Sequence, residues 1–261
     1  MVSSLSRWVY VFMVFIYWSW MLRLTHLRYR LKNFTPYADI FKGWLNNMRS
    51  IVYASSSVIL EGNIVKPKVK DRVLLIANHQ SWLDILVLYA AYGVPLTFVL
   101  KRSLRWLPFL GRAFVLYRFP MVERNGARSE WEDPINYYIE HGFITPLVIF
   151  PEGTRYTDLK AKKSRYKGLL NPHVMGIEKI LGHYDQVFDV TICYGSKNLS
   201  LHNLFSGKIP SIKLIARDVT VRLKSANNRR ELYDAVKKIW AEKSTDKMNF
   251  DQVGCKSSSS S

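Results

Sequence analysis

Cysteine and negative charge are both scarce in this 261-residue chain. Only Cys193 and Cys255 occur, with no Cys-x-x-Cys pair and no His-Glu-x-x-His. Neither a disulfide framework nor a structural zinc site is therefore expected, and a reducing compartment fits. There is no Gly-x-Ser-x-Gly elbow and no loop ending in Gly-Lys-Ser or Gly-Lys-Thr, which argues against an α/β-hydrolase and a nucleoside triphosphatase. No internal repeat is visible. Asp and Glu number 20 against 38 Lys and Arg, for a formal net charge of +18 and a pI near 9.9. That imbalance calls for an anionic partner: nucleic acid, phospholipid headgroups or a phosphorylated small molecule. Charge alone does not choose among them.

The chain does hold enough apolar material for one sizeable core, with 48% hydrophobic and 14% aromatic residues. Its pattern divides it into membrane-anchoring helices over residues 1–55, an α/β domain over 56–245 and a flexible tail over 246–261, low-complexity from Ser257. From Trp8 to Leu22 there is no charge and much Trp and Tyr, followed by Arg23, Arg28, Arg30 and Lys32. A helix of that length is roughly 22 Å long against a hydrocarbon core of about 30 Å. One short span and insertion into the headgroup boundary both fit. A signal peptide does not, because the basic flank follows the run and no small-residue cleavage site appears. Next, Ile40, Phe41, Trp44, Leu45, Met48 and Val52 recur at three- and four-residue steps, the mark of an amphipathic helix. It either packs on the domain or lies on the bilayer as the second arm of a hairpin.

Apolar runs alternating with helical segments predict an α/β fold with a single mixed, largely parallel sheet flanked by helices. Strands are expected at Val58–Leu60, Val73–Ile76, Pro95–Leu100, Met121–Val122, Pro146–Phe150, Val187–Tyr194 and Ile212–Leu223. Helices are expected over Ile85–Ala90, Lys101–Gly111, Trp131–His141, His173–Leu181 and Glu231–Trp240. Pro134 is tolerable only in a first helical turn. Ligands of such sheets collect at the carboxyl ends of the strands, which is where His79, Arg124 and the Glu152–Arg155 segment fall.

His79 and Asp84 are five residues apart, so on one regular helix they would point about 140° away from each other. They meet only if His79 precedes the first turn. A carboxylate reaching back would then fix the imidazole's tautomer and offset the helix dipole, giving a general base held by an orienting acid. The same residues also fit a helix cap and an ordinary first-turn carboxylate. The run Lys160, Lys162, Lys163, Arg165, Lys167 reads as a solvated loop or as a face toward anionic headgroups.

Asn78-His79 with Asp84, then Lys101 through Gly111 with Arg124, then Phe150-Pro151-Glu152-Gly153-Thr154-Arg155, in this order and spacing, resemble the 1-acylglycerol-3-phosphate acyltransferase (PlsC-like) family of glycerolipid acyltransferases. The resemblance covers roughly residues 58 to 195. Val187–Tyr194 lacks the family's usual proline and looks closer to the YihG and lysocardiolipin acyltransferase-like subgroup, which leaves the acyl acceptor open. The resemblance implies the glycerolipid acyltransferase fold. It also implies transfer of a fatty acyl group from acyl-CoA or acyl-carrier protein to a hydroxyl of a lysophospholipid. His79 and Asp84 would be catalytic without a covalent intermediate, with oxyanion donors from backbone N–H groups at the start of the following helix. Arg124, Glu152, Gly153, Thr154 and Arg155 would bind substrate, Glu152 orienting the acceptor hydroxyl or holding Arg155. Trp106 and Phe109 either line an acyl channel or pack in the core. Neither metal nor cofactor is implied beyond the thioester co-substrate. The implied partners are the lysophospholipid, the acyl donor and an anionic membrane surface, with no nucleic acid, at the cytoplasmic face of a bacterial inner membrane. The alternatives are a membrane-tethered basic protein that binds lipid or nucleic acid without catalysis, and thioester hydrolysis to water.

Deleting Met1–Asn33 is expected to lower the fraction of protein that sediments with anionic vesicles. Unchanged sedimentation would remove the anchor.

Overall fold

Val73-Leu74-Leu75-Ile76-Ala77 has no polar side chain, so a strand there needs cover on both faces. The computed structural model describes residues 9, 13, 17, 37–64, 67, 71–106, 111, 114, 115, 118–123, 129–141 and 146–257, and it supplies that cover. In chain order the elements are α1 (Tyr37–Ser55), β1 (Ser57–Gly62), β2 (Val73–Ala77), α2 (Leu83–Tyr92), β3 (Thr97–Phe98), β4 (Leu100–Lys101) and β5 (Met121–Val122). There follow α3 (Ser129–His141), β6 (Leu147–Ile149), α4 (Asp158–Ala161), α5 (Met175–Ile180), β7 (Gln186–Tyr194), α6 (Leu201–Phe205), β8 (Ser211–Asp218), α7 (Thr220–Lys224) and α8 (Arg229–Ser257).

Six strands form one sheet in the order β1-β8-β7-β2-β6-β3. Every neighbouring pair is parallel except β7 with β8, so β8 and β1 run against the other four. Strand β2 sits inside and is buried throughout. Its side chains alternate as the pleat requires. Val73, Leu75 and Ala77 join the apolar cluster with α1, α2 and α6, while Leu74 and Ile76 join the cluster with α3, α5, α7 and α8. Two helical layers thus enclose the sheet. Helix α2 is apolar around its circumference and largely buried, as a helix covered on all sides must be.

The sheet is mixed and mostly parallel, as expected, but it is not the only one. The expected strand Pro95–Leu100 divides, because the Val99 N–H donates to Val148 O whereas the Leu100 N–H donates to Pro120 O. The chain thereby leaves β6 and starts a separate parallel ladder, β4 with β5. The expected strand Ile212–Leu223 ends at Asp218, whose Oδ1 accepts the Thr220 N–H at 2.8 Å and turns the chain into α7. Helix α3 begins at Ser129, which places Pro134 inside it rather than in its first turn. Of Lys101–Gly111, residues Arg102–Trp106 form a 3₁₀ helix and 107–110 lie outside the described residues.

Helix α8 outruns the expected Glu231–Trp240 at both ends. Asn228 caps its start, the Glu231 N–H donating to Asn228 Oδ1 at 3.0 Å, and Glu231 Oε2 accepts from the Asn227 N–H at 2.8 Å. Residues 246–257, expected as part of a flexible tail, continue the helix, and Lys247 is buried beneath Gly168. Gly168 has φ +75, and a Cβ there would lie 2.8 Å from the Lys247 stem, so glycine is needed both for the turn and for the approach of the helix.

Of the expected N-terminal hairpin, α1 is present, packs on α2 and delivers Ile51 and Val52 to the core. The side chains of Ile40, Phe41, Trp44, Leu45 and Met48 lie outside the described residues, as does Trp8–Leu22 except for Val9, Met13 and Tyr17, which are helical and exposed. Among the described residues no helix is long and apolar enough to cross a membrane.

Lys243 of α8 is fully buried, 2.7 Å from the buried Asp189 of β7. Removing one member of such a pair strands the other charge, for about 3–5 kcal/mol. Lys243→Met is expected to lower the unfolding free energy by about that amount, and adding Asp189→Val to recover most of it, in a denaturant double-mutant cycle.

Candidate active site

The end of β2 is fixed to β7 by a side chain. Beyond the last ladder pair, Ala77 with Val190, the buried Asn78 donates through Nδ2 to Ile192 O at 3.0 Å and accepts the Ile192 N–H at Oδ1, 2.7 Å away. Its amide extends the ladder by one step. His79 follows, outside the helix, and α2 opens four residues later with Asp84 in its first turn.

Asp84 folds back on the loop that precedes it. Its Oδ2 accepts from His79 Nδ1 at 2.8 Å and from the N–H groups of Gln80 and Ser81 at 2.7 and 2.9 Å, while Oδ1 accepts from the Tyr194 hydroxyl at 2.7 Å. The carboxyl is fully buried, yet four donors surround it. A carboxylate only accepts, so Nδ1 carries the hydrogen and Nε2, across the ring, keeps its lone pair. The ring stacks on Phe150 with centroids 4.2 Å apart, and 13% of the side chain is exposed. The expected base and orienting acid are therefore assembled as a pair. Of the backbone donors around the start of α2, four are engaged within the loop itself. Gln80 and Ser81 bind Asp84, the Leu83 N–H donates to Ser81 Oγ and the Asp84 N–H to Ser81 O.

The Phe150–Arg155 segment grips His79 from the other side. Its turn closes through the Gly153 N–H to Phe150 O at 2.9 Å, and Gly153 has φ +66, where any other L-residue would be strained. The His79 N–H donates to Glu152 Oε1 at 3.2 Å and the Tyr156 N–H to His79 O at 2.8 Å, so the backbone of the base is held at both ends. Glu152, 2% exposed, also accepts the Leu170 N–H at 3.2 Å. It therefore braces two loops, rather than holding Arg155 as one expectation had it. Burial pushes its carboxyl up to about 8, the two backbone donors and the nearby Lys243 only partly opposing. Thr154 accepts from Lys160 Nζ at 2.7 Å. Arg155 is exposed and is not among the residues that line the cavity beside His79. Arg124 and Phe109 lie outside the described residues, and Trp106 is 77% exposed, which removes it from the core.

His79, Glu152, Gly153 and Thr154 share a cavity of about 1160 Å³ whose walls mix apolar Leu100, Ile149 and Phe150 with several cations. No motif pointed to α8, yet α8 supports this site. Lys243 Nζ donates to Ile76 O and Val190 O and pairs with Asp189, which ties α8 to the end of β2 and the middle of β7. Trp240 Nε1 donates to Leu170 O at 3.0 Å and Ser244 Oγ to Lys167 O at 2.9 Å, which positions the loop that meets Glu152 and Gln80. Burial raises Asp189 to about 6 and lowers Lys243. The sequence signal for this was one lysine, Lys243, on the apolar stripe that includes Val236, Ile239 and Trp240. Tyr194 carried no signal beyond its place at the end of a strand. Among the described residues no group of three His, Cys, Asp or Glu side chains is placed to hold a metal ion.

The family model described as Acyltransferase matches residues 57–194. The chain is 32% identical over 230 residues to a probable 1-acyl-sn-glycerol-3-phosphate acyltransferase 5 of Arabidopsis thaliana, covering 77% of this chain and 59% of that one. It is 31% identical over 166 residues to 1-acyl-sn-glycerol-3-phosphate acyltransferase epsilon of Mus musculus, covering 54% and 45%. The chain thus spans about half the length of these relatives. The crystal structure of the 1-acyl-sn-glycerophosphate (LPA) acyltransferase PlsC from Thermotoga maritima has the same fold, with a TM-score of 0.55, 19% identity, and 92% of this chain and 97% of that one covered.

A carboxyl whose folded pKa is raised from 4.5 to about 8 stabilises the fold fully below about pH 4.5, and that stabilisation is lost as pH rises through 8. Urea unfolding of Glu152→Gln should therefore show a flatter loss of stability between pH 5 and 8 than the parent chain. Parallel profiles would contradict the burial of an acid at this position.

Proposed function

This chain belongs to the Acyltransferase family, and from that premise we propose that it moves a fatty acyl group from a thioester donor to a hydroxyl of a lysophospholipid, lysophosphatidic acid or a close relative. The observation that carries this reading is the His79–Asp84 pair, its Nδ1 edge committed to a buried carboxylate, on a cavity that also contains the Glu152–Thr154 turn. Nε2 takes the proton from the acceptor hydroxyl as its oxygen bonds to the thioester carbonyl carbon. The imidazolium that forms lies against Asp84, which also accepts from the Gln80 and Ser81 N–H groups and the Tyr194 hydroxyl. Collapse of the tetrahedral adduct breaks the C–S bond, and the departing thiolate receives the proton from Nε2. No serine or cysteine nucleophile enters, in keeping with Cys193 being buried with its thiol raised to about 11.

We assign the acceptor's phosphate to the Gly153–Thr154 turn, with Lys160 on the Thr154 hydroxyl and Arg155 at the exposed edge beside them. Arg124 is retained as a second cation on the strength of the family resemblance. The turn's φ +66 glycine suits close approach of an anion to the backbone, and Thr154 with Lys160 supplies donors of the right kind. Residues 1–55 and the +18 charge support attachment to an anionic membrane surface, and the cytoplasmic face is the side on which acyl thioesters are made.

Purified full-length protein given acyl-CoA or acyl-carrier protein with lysophosphatidic acid should release free thiol in step with phosphatidic acid. His79→Ala and Asp84→Asn should each lower that rate by at least about a hundredfold, within the range for general-base catalysis, with the thermal unfolding midpoint of His79→Ala little changed. Thiol release that does not need the acceptor would replace acyl transfer with thioester hydrolysis.

A further inference from the structure

One wall of the His79 cavity comes from α8, which lies outside every motif described above. Arg229, Arg230, Tyr233 and Lys237 fall within about 100° of one another around its axis, and all four line the cavity, as do Arg165 and Tyr166 of the loop between α4 and α5. The adjoining stripe of α8, from Leu232 to Lys243, is buried in the domain, which fixes the rotation of the cationic row. Arg229 reaches Glu178 at 3.4 Å, and Lys237 Nζ stands 4.3 Å from the centroid of the Tyr233 ring. Arg230 and Arg165 are exposed and form no ion pair among the described residues. Tyr166 and Tyr233 are near enough to interact electrostatically.

The row also has a direction. Lys243 touches the carbonyl of Ile76, three residues before the base. At about 1.5 Å per residue, Lys237 lies about 9 Å and Arg230 about 20 Å further along the axis from that level. The acceptor's phosphate sits on a carbon adjacent to or near the reacting one, so it must be bound close to Nε2 and cannot extend to Arg230. A coenzyme thioester is built the other way, with its phosphates and aromatic base at the end of an extended arm remote from the acyl carbon.

We propose that Arg229, Arg230 and Lys237, with Tyr233 and Tyr166, form a subsite for the phosphorylated, ring-bearing end of the acyl donor, a nucleotide-type coenzyme thioester lying along α8 with its acyl carbon at His79. The proposal rests on the acyl-transfer reading above and adds the identity of the donor. Guanidinium groups bind phosphate through paired hydrogen bonds, and tyrosine faces suit a flat heteroaromatic base.

The test uses the full-length protein with coenzyme A itself as the binding probe, followed by calorimetry, and acyl-CoA with lysophosphatidic acid for turnover. Arg230→Ala and Lys237→Ala should each weaken coenzyme A by about tenfold, the effect of about 1.4 kcal/mol per phosphate contact, and raise the KM for acyl-CoA in proportion. The KM for lysophosphatidic acid should move much less, and Arg230→Lys should recover part of the loss. A rise in the acceptor's KM alone would assign the row to the lipid headgroup and overturn the proposal, as would no change in either KM. If coenzyme A fails to bind while the thioester of acyl-carrier protein is turned over, the proposed function stands and this subsite falls. If coenzyme A binds in an Arg230-dependent way but no acyl group is transferred, the subsite stands and the proposed function falls.

Discussion

One buried carboxylate organises the end of the sheet where β2 meets α2. Asp84 is removed from water, a placement that is tolerable for a charge only when hydrogen bonds replace the lost hydration. Four donors do so: the His79 ring, the backbone of Gln80 and Ser81, and the Tyr194 hydroxyl. Three of them come from consecutive residues of the loop between β2 and α2, and the fourth from the end of β7. Asp84 therefore sets the tautomer of the base and shapes the loop that carries it. Those two N–H groups of the loop are thereby engaged within it.

Behind this group lies a buried set of charges with unequal satisfaction. Asp84 has four donors, Asp189 has the Lys243 ammonium, and Glu152 has two backbone N–H groups and no cation in contact. For Glu152 and Asp189 the difference shows in their titration. Glu152 is pushed to about 8 and Asp189 to about 6, burial being the leading cause in both. Glu152 thus acts as a brace between the His79 and Leu170 backbones that is close to neutral at physiological pH. Its place in a motif otherwise assigned to substrate is explained by what it holds in position. Lys243 plays the matching part for the strands, since it donates to Ile76 O and Val190 O and pairs with Asp189. Helix α8 is in this way part of the site's foundation, although it is 150 residues removed in sequence from the base.

Local chemistry made a good deal of this legible. The apolar run Val73–Ile76 pointed to a buried strand, and the five-residue spacing of His79 and Asp84 let the two side chains meet only if the histidine preceded the helix. Both depend on short-range sterics or on a fixed periodicity. What escaped were features set by partners far along the chain. The split of Pro95–Leu100 between two ladders depends on whether a given N–H meets Val148 O or Pro120 O. The passage from β8 into α7 depends on Asp218 capping the turn after Val219 has bonded to Val187. Nor does Arg155, which sits in a motif beside Glu152, reveal by itself that it ends on the solvent side while its neighbour is buried.

The sequence by itself determined the class of fold, the family and the one condition under which His79 and Asp84 can meet, because periodicity and residue spacing act over a few residues and survive any tertiary arrangement. Only the packed structure decided that Tyr194 completes the carboxylate's shell, that Glu152 is a brace and that α8 both supports the strands and lines the cavity. Those roles arise where residues distant in sequence are buried together, and a charge deprived of water is satisfied by whichever partners the fold brings within hydrogen-bond reach.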